Sequence, residues 1–525
     1  MTSTLQNPHL YSNYADPQAW VIPQIILSQA KRQPKRVAIH FINGPDWTYQ
    51  EVLDQALHGA GWLKAQGITA DSAVALMADD PQTFCQCWLG LAMLGATMVA
   101  INTSVRGDPL RHQLTLAEVT DVLAEVAHFQ TTQTACGRAQ LLSTEQMSSA
   151  TTTPLAQSDI HPAKHNDTSC IMFTSGTSGP AKGVMMPHAH CVLFAVGTID
   201  NYHLHAEHVF YICLPLFHAN GLFMQLLACL LSGAPAVLRP RFSASQWLAD
   251  IRRYSITHTN MLGALAAFVA AQPPTPQDSD HQLQVIGSAP LPASAEKTLR
   301  IRFNVPHVIP LYGMTEVNIP LYGRLDEQAP STCGRLYAEY FEVEIRNPES
   351  DESIPQGGVG EIMVRPRQPF GFMAGYVGMP EKTLEAWRNF WFHTGDAGRI
   401  DSRGRFVFVD RIKDCIRRRG ENISSYEVEQ AFLALEDIAE AAAYAVPAAG
   451  GEGMEDEVMV ALETKAGTES TPEKWLEQAA PNLPRFAIPR YLRIVDALPK
   501  TPTGKIRKVQ LRTEGVTADS FENIL

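Results

Sequence analysis

Thr174-Ser175-Gly176-Thr177-Ser178-Gly179-Pro180-Ala181-Lys182-Gly183 follows directly on the apolar run Cys170-Ile171-Met172-Phe173. A buried strand that opens into a turn of hydroxyls, glycines and one lysine suits a polyphosphate. Small residues let backbone N–H groups approach the oxygens, hydroxyls donate further bonds, and the lysine adds charge. The turn is not a Walker A motif, which needs glycine just before the lysine and a hydroxyl just after it. Here Ala181 precedes Lys182 and Gly183 follows it. A flexible Ser/Thr/Gly surface turn has the same composition, so the stretch has to be weighed with the rest of the chain.

At 525 residues the chain exceeds what one hydrophobic core usually supports, so two or more domains are expected. Hydrophobic residues at 45% and charged residues at 18% give an ordinary globular balance. A net charge of −12, from 42 basic and 54 acidic residues, argues against broad nucleic-acid binding. Nine cysteines with no CxxC pair fit reduced thiols and a cytoplasmic protein. Residues 1–20 lack a basic start followed by an apolar core, so no signal peptide is expected. Two uncharged stretches, 81–105 and 213–238, are interrupted by glutamines, glycines, a histidine and an asparagine. Neither reads as a transmembrane span of about 20 apolar residues; both read as buried helices with flanking strands.

The N-terminal half alternates helix-like and strand-like pieces. Tyr49 to Gln66 has helical apolar spacing, Ala73 to Met77 reads as a buried strand, Phe84 to Leu94 as a helix and Ala96 to Ile101 as a strand. That alternation predicts a largely parallel α/β sheet. After about residue 333, Val343-Glu344-Ile345, Gly360 to Val364 and Arg405 to Val409 predict a β-rich subdomain. Ser424 with Glu427 three residues on forms a capping box for a helix running to Leu435. Residues from about 414 to 525 read as a compact α+β module behind a charged, polar junction.

Further segments carry chemistry-bearing residues. Tyr312-Gly313-Met314-Thr315-Glu316 offers an aromatic face, a tight turn, a hydroxyl and a carboxylate, and a carboxylate beside phosphates is a typical magnesium ligand. Phe392-His393-Thr394-Gly395-Asp396 presents an acid after a turn, suited to ribose hydroxyls. Arg411 follows a strand, and Pro499-Lys500-Thr501-Pro502-Thr503-Gly504-Lys505-Ile506 puts a lysine on a glycine-containing loop. Taken singly, each has an ordinary reading as a turn, a salt bridge or a solvated charge.

In order, TSGTSGPAKG, YGMTE, HTGD, DRIKD…RRRGENI and PKTPTGKIRK closely resemble the adenylate-forming family of acyl-CoA synthetases, peptide-synthetase adenylation domains and firefly luciferase. The resemblance covers about residues 20–515 and departs at Ala181, where the family usually has proline. It implies an N-terminal AMP-binding domain over 1–412, built of α/β subdomains plus a small β-barrel, and a mobile C-terminal domain over 413–525 with its hinge at Lys413. It implies ATP, Mg²⁺ and coenzyme A as cofactor and co-substrates. Thr174, Ser175, Gly176, Thr177, Ser178, Gly179 and Lys182 would hold the β- and γ-phosphates. Gly287, Ser288, Ala289, Pro290 and Tyr312, with Gly313 and Met314, would frame adenine. Thr315 would contact the α-phosphate, Glu316 would hold Mg²⁺, and Asp396 and Arg411 would bind ribose. Lys505 would bridge the attacking carboxylate and the α-phosphate. In a second state Arg419, Gly420, Glu421 and Asn422 would replace it and shape a pantetheine tunnel.

Leu214-Pro215-Leu216-Phe217-His218 resembles the family's segment beside the acyl pocket. Amino-acid-activating members usually place Asp where His218 stands, which implies an acid without an α-amine, with His218 beside the thiol channel. The overall pattern is closest to crotonobetaine/carnitine-CoA ligases and medium-chain acyl-CoA ligases, and so to fatty-acid metabolism. Phe217, Phe223, Tyr211 and Tyr322 are candidates for an aromatic cage around a quaternary ammonium or for an apolar acyl pocket. His188, His190, His203, His205 and His208 are metal-like in number, but no carboxylate or cysteine completes zinc-like spacing. The implied partners are a small carboxylic acid, ATP and CoA, with no nucleic acid; a homodimer is compatible with this reading. The alternatives are a stand-alone adenylation enzyme loading an acyl carrier protein, a non-catalytic nucleotide-binding relative and a luciferase-like oxygenase.

Overall fold

The computed structural model describes residues 7–174, 181–289, 291, 293–412, 414, 416–418, 421–447, 456–468, 470–483, 485–501 and 504–523, with backbone alone at 417, 421 and 422. The expected parallel α/β architecture is present twice. In a nine-stranded sheet, Val37–Phe41, Ala236–Leu238, Phe210–Ile212, His258–Met261, Val285–Ser288 and His307–Met314 run parallel in that spatial order. In a seven-stranded sheet, Thr168–Thr174, Thr97–Ala100, Ala73–Met77, Asp121–Ala124 and Gln140–Ser143 do the same. Antiparallel strands finish both sheets, including Lys182–Pro187, which returns from the glycine-rich turn, and Asn318–Tyr322, which returns from Glu316.

Parallel strands need both faces covered. One core joins residues of both sheets with the helices Tyr49–Ala65, Pro81–Leu94 and His188–Tyr202. The sequence sets these helices locally. Thr48 and Glu51 close a capping box at the first. Asp80 accepts from Thr83 N at 2.8 Å, Pro81 opens the second, and Gly95 ends it in the left-handed region at φ 77°. A side chain at Gly95 would also strike His161. Phe84, Trp88 and Leu91 of that helix are fully buried, each contributing about 1.5–3 kcal/mol. The uncharged stretches thus divide into buried helix and strand, and among the described residues no helix is long and apolar enough to cross a membrane.

The β-rich part is a four-stranded antiparallel sheet of Phe341–Arg346, Gly360–Pro366, Phe392–Ile400 and Phe406–Arg411. Its first and last strands do not pair with each other among the described residues, so the subdomain expected as a small β-barrel is an open sheet. Beyond it, Ile438–Pro447, Asp456–Thr464, Tyr491–Val495 and Phe521–Glu522 form a separate sheet. The helix Ser425–Leu433 packs on it, with Ser424 Oγ accepting from Glu427 N at 3.1 Å. Val428, Phe432, Val460, Trp475 and Leu492 belong to a core drawn only from residues from Ile416 onward, distinct from the one that ends at Phe406.

Candidate active site

Parallel strands deliver their side chains and following loops to one end, where α/β folds bind ligands. At that end of the nine-stranded sheet lie Leu214 to His218, Ser288 and the Tyr312–Glu316 turn. Thr174 ends the neighbouring strand of the other sheet, opposite Lys182.

The Tyr312–Glu316 turn is tight because a side chain at Gly313 would fall on the Asn318 carbonyl oxygen and on Ile319, and Asn318 itself sits at φ 70°. The turn buries Glu316 and leaves Thr315 half-buried. Glu316 Oε1 accepts from the Tyr376 hydroxyl at 3.0 Å and lies 3.5 Å from Thr174 Oγ1. The Tyr376 ring also carries the Lys182 ammonium, 4.1 Å from its centroid. One tyrosine therefore holds the acid and the base of the glycine-rich turn together. Neither Thr315 Oγ1 nor Glu316 Oε2 has a hydrogen-bond partner among the described residues.

The second group is built on the antiparallel sheet. Asp396 and Arg411 are cross-strand partners, and their side chains approach to 3.6 Å. The Tyr312 hydroxyl donates to Asp396 Oδ2 at 2.7 Å. Burial raises the Asp396 carboxyl above its usual range, while Arg411 and the Tyr312 hydroxyl pull it back down. Immediately beyond, Ile412 N donates to Gly395 O at 2.9 Å. Gly395 N in turn donates to Glu361 Oε1 at 2.8 Å, which fixes the turn ahead of Asp396.

Lys505 arrives from the C-terminal unit on a tight turn. Gly504 has φ 79° and donates to Thr501 O at 2.9 Å, and Lys505 N donates to Thr501 Oγ1 at 3.1 Å. The residue as a whole is exposed, and its ammonium is coupled through its charge to Arg411, Glu316 and Asp396. Burial holds it below the ordinary lysine range and the Arg411 guanidinium adds to this, against the pull of Glu316 and Asp396. Burial likewise pulls the His218 imidazole down to about 4, with the Lys505 ammonium contributing. His218 is therefore neutral at pH 7, free to offer one donor and one acceptor.

The structure thus gathers Thr174, Lys182, Tyr312, Thr315, Glu316, Asp396, Arg411, Lys505 and His218 around one space. Gly287, Ser288 and Ala289 border it at a strand end, where a side chain at Gly287 would collide with the Tyr202 hydroxyl and Asn260 Oδ1. Ser175, Gly176, Thr177, Ser178, Gly179, Pro290, Lys413, Arg419 and Gly420 lie outside the described residues, as do the side chains of Glu421 and Asn422.

The four aromatic residues expected as a cage do not assemble. Phe217 stacks edge-on to His218 at 4.7 Å, and Phe223 packs on Trp88. Tyr322 meets Tyr202 and Tyr337. Tyr211 lies in a different core, donating to Asp250 Oδ2 at 3.0 Å. The His205 and His208 rings stack at 3.7 Å, and His208 stacks on His258 at 4.3 Å. Among the described residues the one metal-sized group of ligands is elsewhere, at Asp79, Glu125 and His128. Tyr376 and Asn260 were missed from sequence; no motif surrounds either, and each acts through strand pairing rather than through chain neighbours.

Comparison with known proteins gives matches consistent with this geometry. The profile of the AMP-binding enzyme family matches residues 26–377, and that of the AMP-binding enzyme C-terminal domain matches 427–505. The medium/long-chain-fatty-acid–CoA ligase FadD17 of Mycobacterium tuberculosis is 33% identical over 351 residues, 66% of this chain and 67% of that protein. The crotonobetaine/carnitine–CoA ligase of Proteus mirabilis is 28% identical over 488 residues, 89% of this chain and 93% of that one. In fold, O-succinylbenzoate coenzyme A synthetase of Bacillus subtilis in complex with AMP superposes with a TM-score of 0.84 at 22% identity, covering 96% of this chain and 99% of the other.

Proposed function

Because the chain belongs to the AMP-binding enzyme family, we propose that it is an AMP-forming acid–thiol ligase that makes an acyl-CoA through an acyl-adenylate. The observation that carries this reading is the placement of Lys505. The charge of a lysine from the far end of the chain acts on Glu316, Asp396, Arg411 and His218.

A carboxylate is a poor electrophile, and its attack on the α-phosphate of ATP brings negative charges together. Lys505 is placed to neutralise that charge as a fixed cation between carboxylate and phosphate. The unpartnered Thr315 hydroxyl is a donor for the α-phosphate, and Lys182 with Thr174 faces the departing pyrophosphate. Asp396, drawn toward its ionised form by Arg411 and Tyr312 against the effect of burial, accepts from ribose hydroxyls, and Gly287 to Ala289 lies along the adenine. Glu316, with one carboxylate oxygen spare, fits Mg²⁺, which takes one or two carboxylates plus phosphate oxygens and supplies charge neutralisation on the leaving group. In the second step a thiolate attacks the acyl carbonyl and AMP leaves.

A cleft of about 530 Å³ beside Phe217 is lined by Arg106, Arg239, Arg241 and Phe242. Guanidinium groups and an aromatic face suit the phosphates and adenine of CoA. We place the domain boundary at Lys413, with 1–412 and 413–525 as the two units; the separate cores on either side support it. Eight described cysteines without disulfides suit a reducing, cytoplasmic setting.

A panel of carboxylic acids with ATP and Mg²⁺, with and without CoA, tests the reading. AMP and pyrophosphate formed in amounts that track acyl-CoA are expected, and ADP as product would overturn it. Lys505→Ala is expected to lose adenylation while still converting a supplied acyl-adenylate to the thioester. Equal loss of both steps would remove Lys505 from its assigned role.

A further inference from the structure

The geometry points to an acid that carries a hydroxyl or carbonyl oxygen a few bonds from its carboxylate, in place of an unsubstituted alkyl chain. This inference rests on the ligase reading and deepens it.

Four polar side chains sit where the apolar wall of an acyl pocket is otherwise expected. The strand His258–Met261 is buried at every position although its sequence is His-Thr-Asn-Met. The side chain of its Asn260 is joined to two neighbours, one of which is bonded to a third. The Tyr202 hydroxyl donates to Asn260 Oδ1 at 2.8 Å, and Asn260 Nδ2 donates to Asn220 Oδ1 at 3.1 Å. Gln225 Nε2 donates to the same Asn220 oxygen at 2.9 Å. Every hydrogen bond in this relay runs toward the Asn220 oxygen.

That direction leaves the Asn220 amide nitrogen as a free donor. It has no acceptor among the described residues, and Asn220 is only partly buried. Asn220 opens a stretch of π-helix, Asn220–Leu227, two residues after His218. Such a bulge is a common device at functional sites. On the ligase reading the substrate carboxylate is held by Lys505, whose charge acts on His218, and Asn220, two residues on from His218 and only partly buried, is the polar group we assign to the acid's next carbons.

One further group in the relay lacks a partner. Gln225 Oε1 is buried with no hydrogen bond, and an unmatched buried polar atom costs the desolvation of that group. An alkyl chain here would leave the Asn220 donor and Gln225 Oε1 unpaired. An oxygen on the acid accepts from the Asn220 amide, and a hydroxyl can also donate to Gln225 Oε1. Sites that hydrogen-bond a substrate oxygen discriminate far more strongly than apolar pockets that count methylenes.

The test compares acids of equal chain length in ATP–pyrophosphate exchange: butanoate with 3-hydroxybutanoate and acetoacetate, pentanoate with 4-oxopentanoate, and octanoate. The oxygenated member of at least one pair is expected to have at least a tenfold higher kcat/KM. Asn220→Asp keeps the volume but exchanges the donor for an acceptor, and is expected to bring that ratio close to one. Asn260→Leu, which breaks the relay one residue further in, is expected to lower it as well. Unsubstituted acids or octanoate turned over as well as the oxygenated ones by the wild-type enzyme would overturn the inference and leave the ligase reading standing. A ratio unchanged in Asn220→Asp would overturn the role of the relay. Exchange with no acid at all would overturn both.

Discussion

Removing the Tyr312 hydroxyl by Tyr312→Phe leaves the ring and its packing in place and deletes one hydrogen bond, the 2.7 Å donation to Asp396 Oδ2. Asp396 is buried, and its ion-pair partner is Arg411, at 3.6 Å. A hydrogen bond to a charged group is worth about 1.5–3 kcal/mol, so the variant is expected to lose about that much stability at neutral pH. Burial already raises the folded-state pKa of Asp396, and the substitution raises it further. The sign follows from that direction. A carboxyl that binds a proton more readily when folded penalises the fold above its folded pKa, and the penalty is relieved as pH falls through that value. The destabilisation by Tyr312→Phe is therefore expected to shrink as pH falls, because a protonating Asp396 makes a weaker demand on its donor. Urea unfolding of wild type and variant at pH 7 and at about pH 5 measures the difference. The KM for ATP is expected to rise about tenfold in the same variant, from the loosened carboxylate. A stability loss identical at both pH values, with an unchanged KM for ATP, would refute the assignment of Asp396 as a buried anion that grips the ribose.

Gly287→Ala places a methyl group against the Tyr202 hydroxyl and only 2.6 Å from Tyr202 Cζ; overpacking of this kind costs about 1–3 kcal/mol, so a wild-type melting temperature would contradict the geometry. Glu316→Gln removes the charge but keeps the shape, and is expected to raise the Mg²⁺ concentration for half-maximal adenylation by at least tenfold; an unchanged Mg²⁺ dependence would move the metal elsewhere. His188 and His190 are buried and held down to about 4 by desolvation. Their neutral forms stabilise the fold fully above the unfolded histidine value of roughly 6.5, and that contribution, on the order of 3 kcal/mol each, is lost as pH falls toward 4. Unfolding midpoints that stay flat between pH 7 and 4.5 would refute it.

The chain's strands and helices were legible wherever an apolar run met a glycine or a cap. Ala73–Met77 coincides with its expected strand, and the helix expected over Tyr49 to Gln66 is Tyr49–Ala65. The charged residues of the candidate site could be picked out because each stands in a short motif and the motifs follow in a fixed order, although Asp396 and Arg411 lie within strands rather than after turns. Tyr376 was not: it reaches Glu316 from a two-residue strand, Gly375–Tyr376, paired with Val184 and Met185, and sequence does not reveal antiparallel partners so far apart. Tyr211 was misassigned for a reason that the two-residue period of a strand exposes. Phe210 and Ile212 face the main core, so Tyr211 between them faces the other side, with Trp247 and Asp250. The open antiparallel sheet in place of a barrel reflects edge pairing, which alternation of side chains does not encode.

The ladder that sets Asp396 beside Arg411 continues one rung further, to the bond from Ile412 to Gly395. The proposed grip on the ribose and the last described backbone bond before residue 413 therefore belong to one piece of backbone. On the proposed hinge, a swing of the terminal unit would pull on that rung first. Linkage then works in both directions: a crosslink that freezes the terminal unit in one orientation must alter nucleotide affinity by the same factor by which bound nucleotide favours that orientation. On the proposed site and hinge, a bound nucleotide would thus be an effector of the terminal unit's orientation as well as a reactant, because it would be held at that unit's attachment.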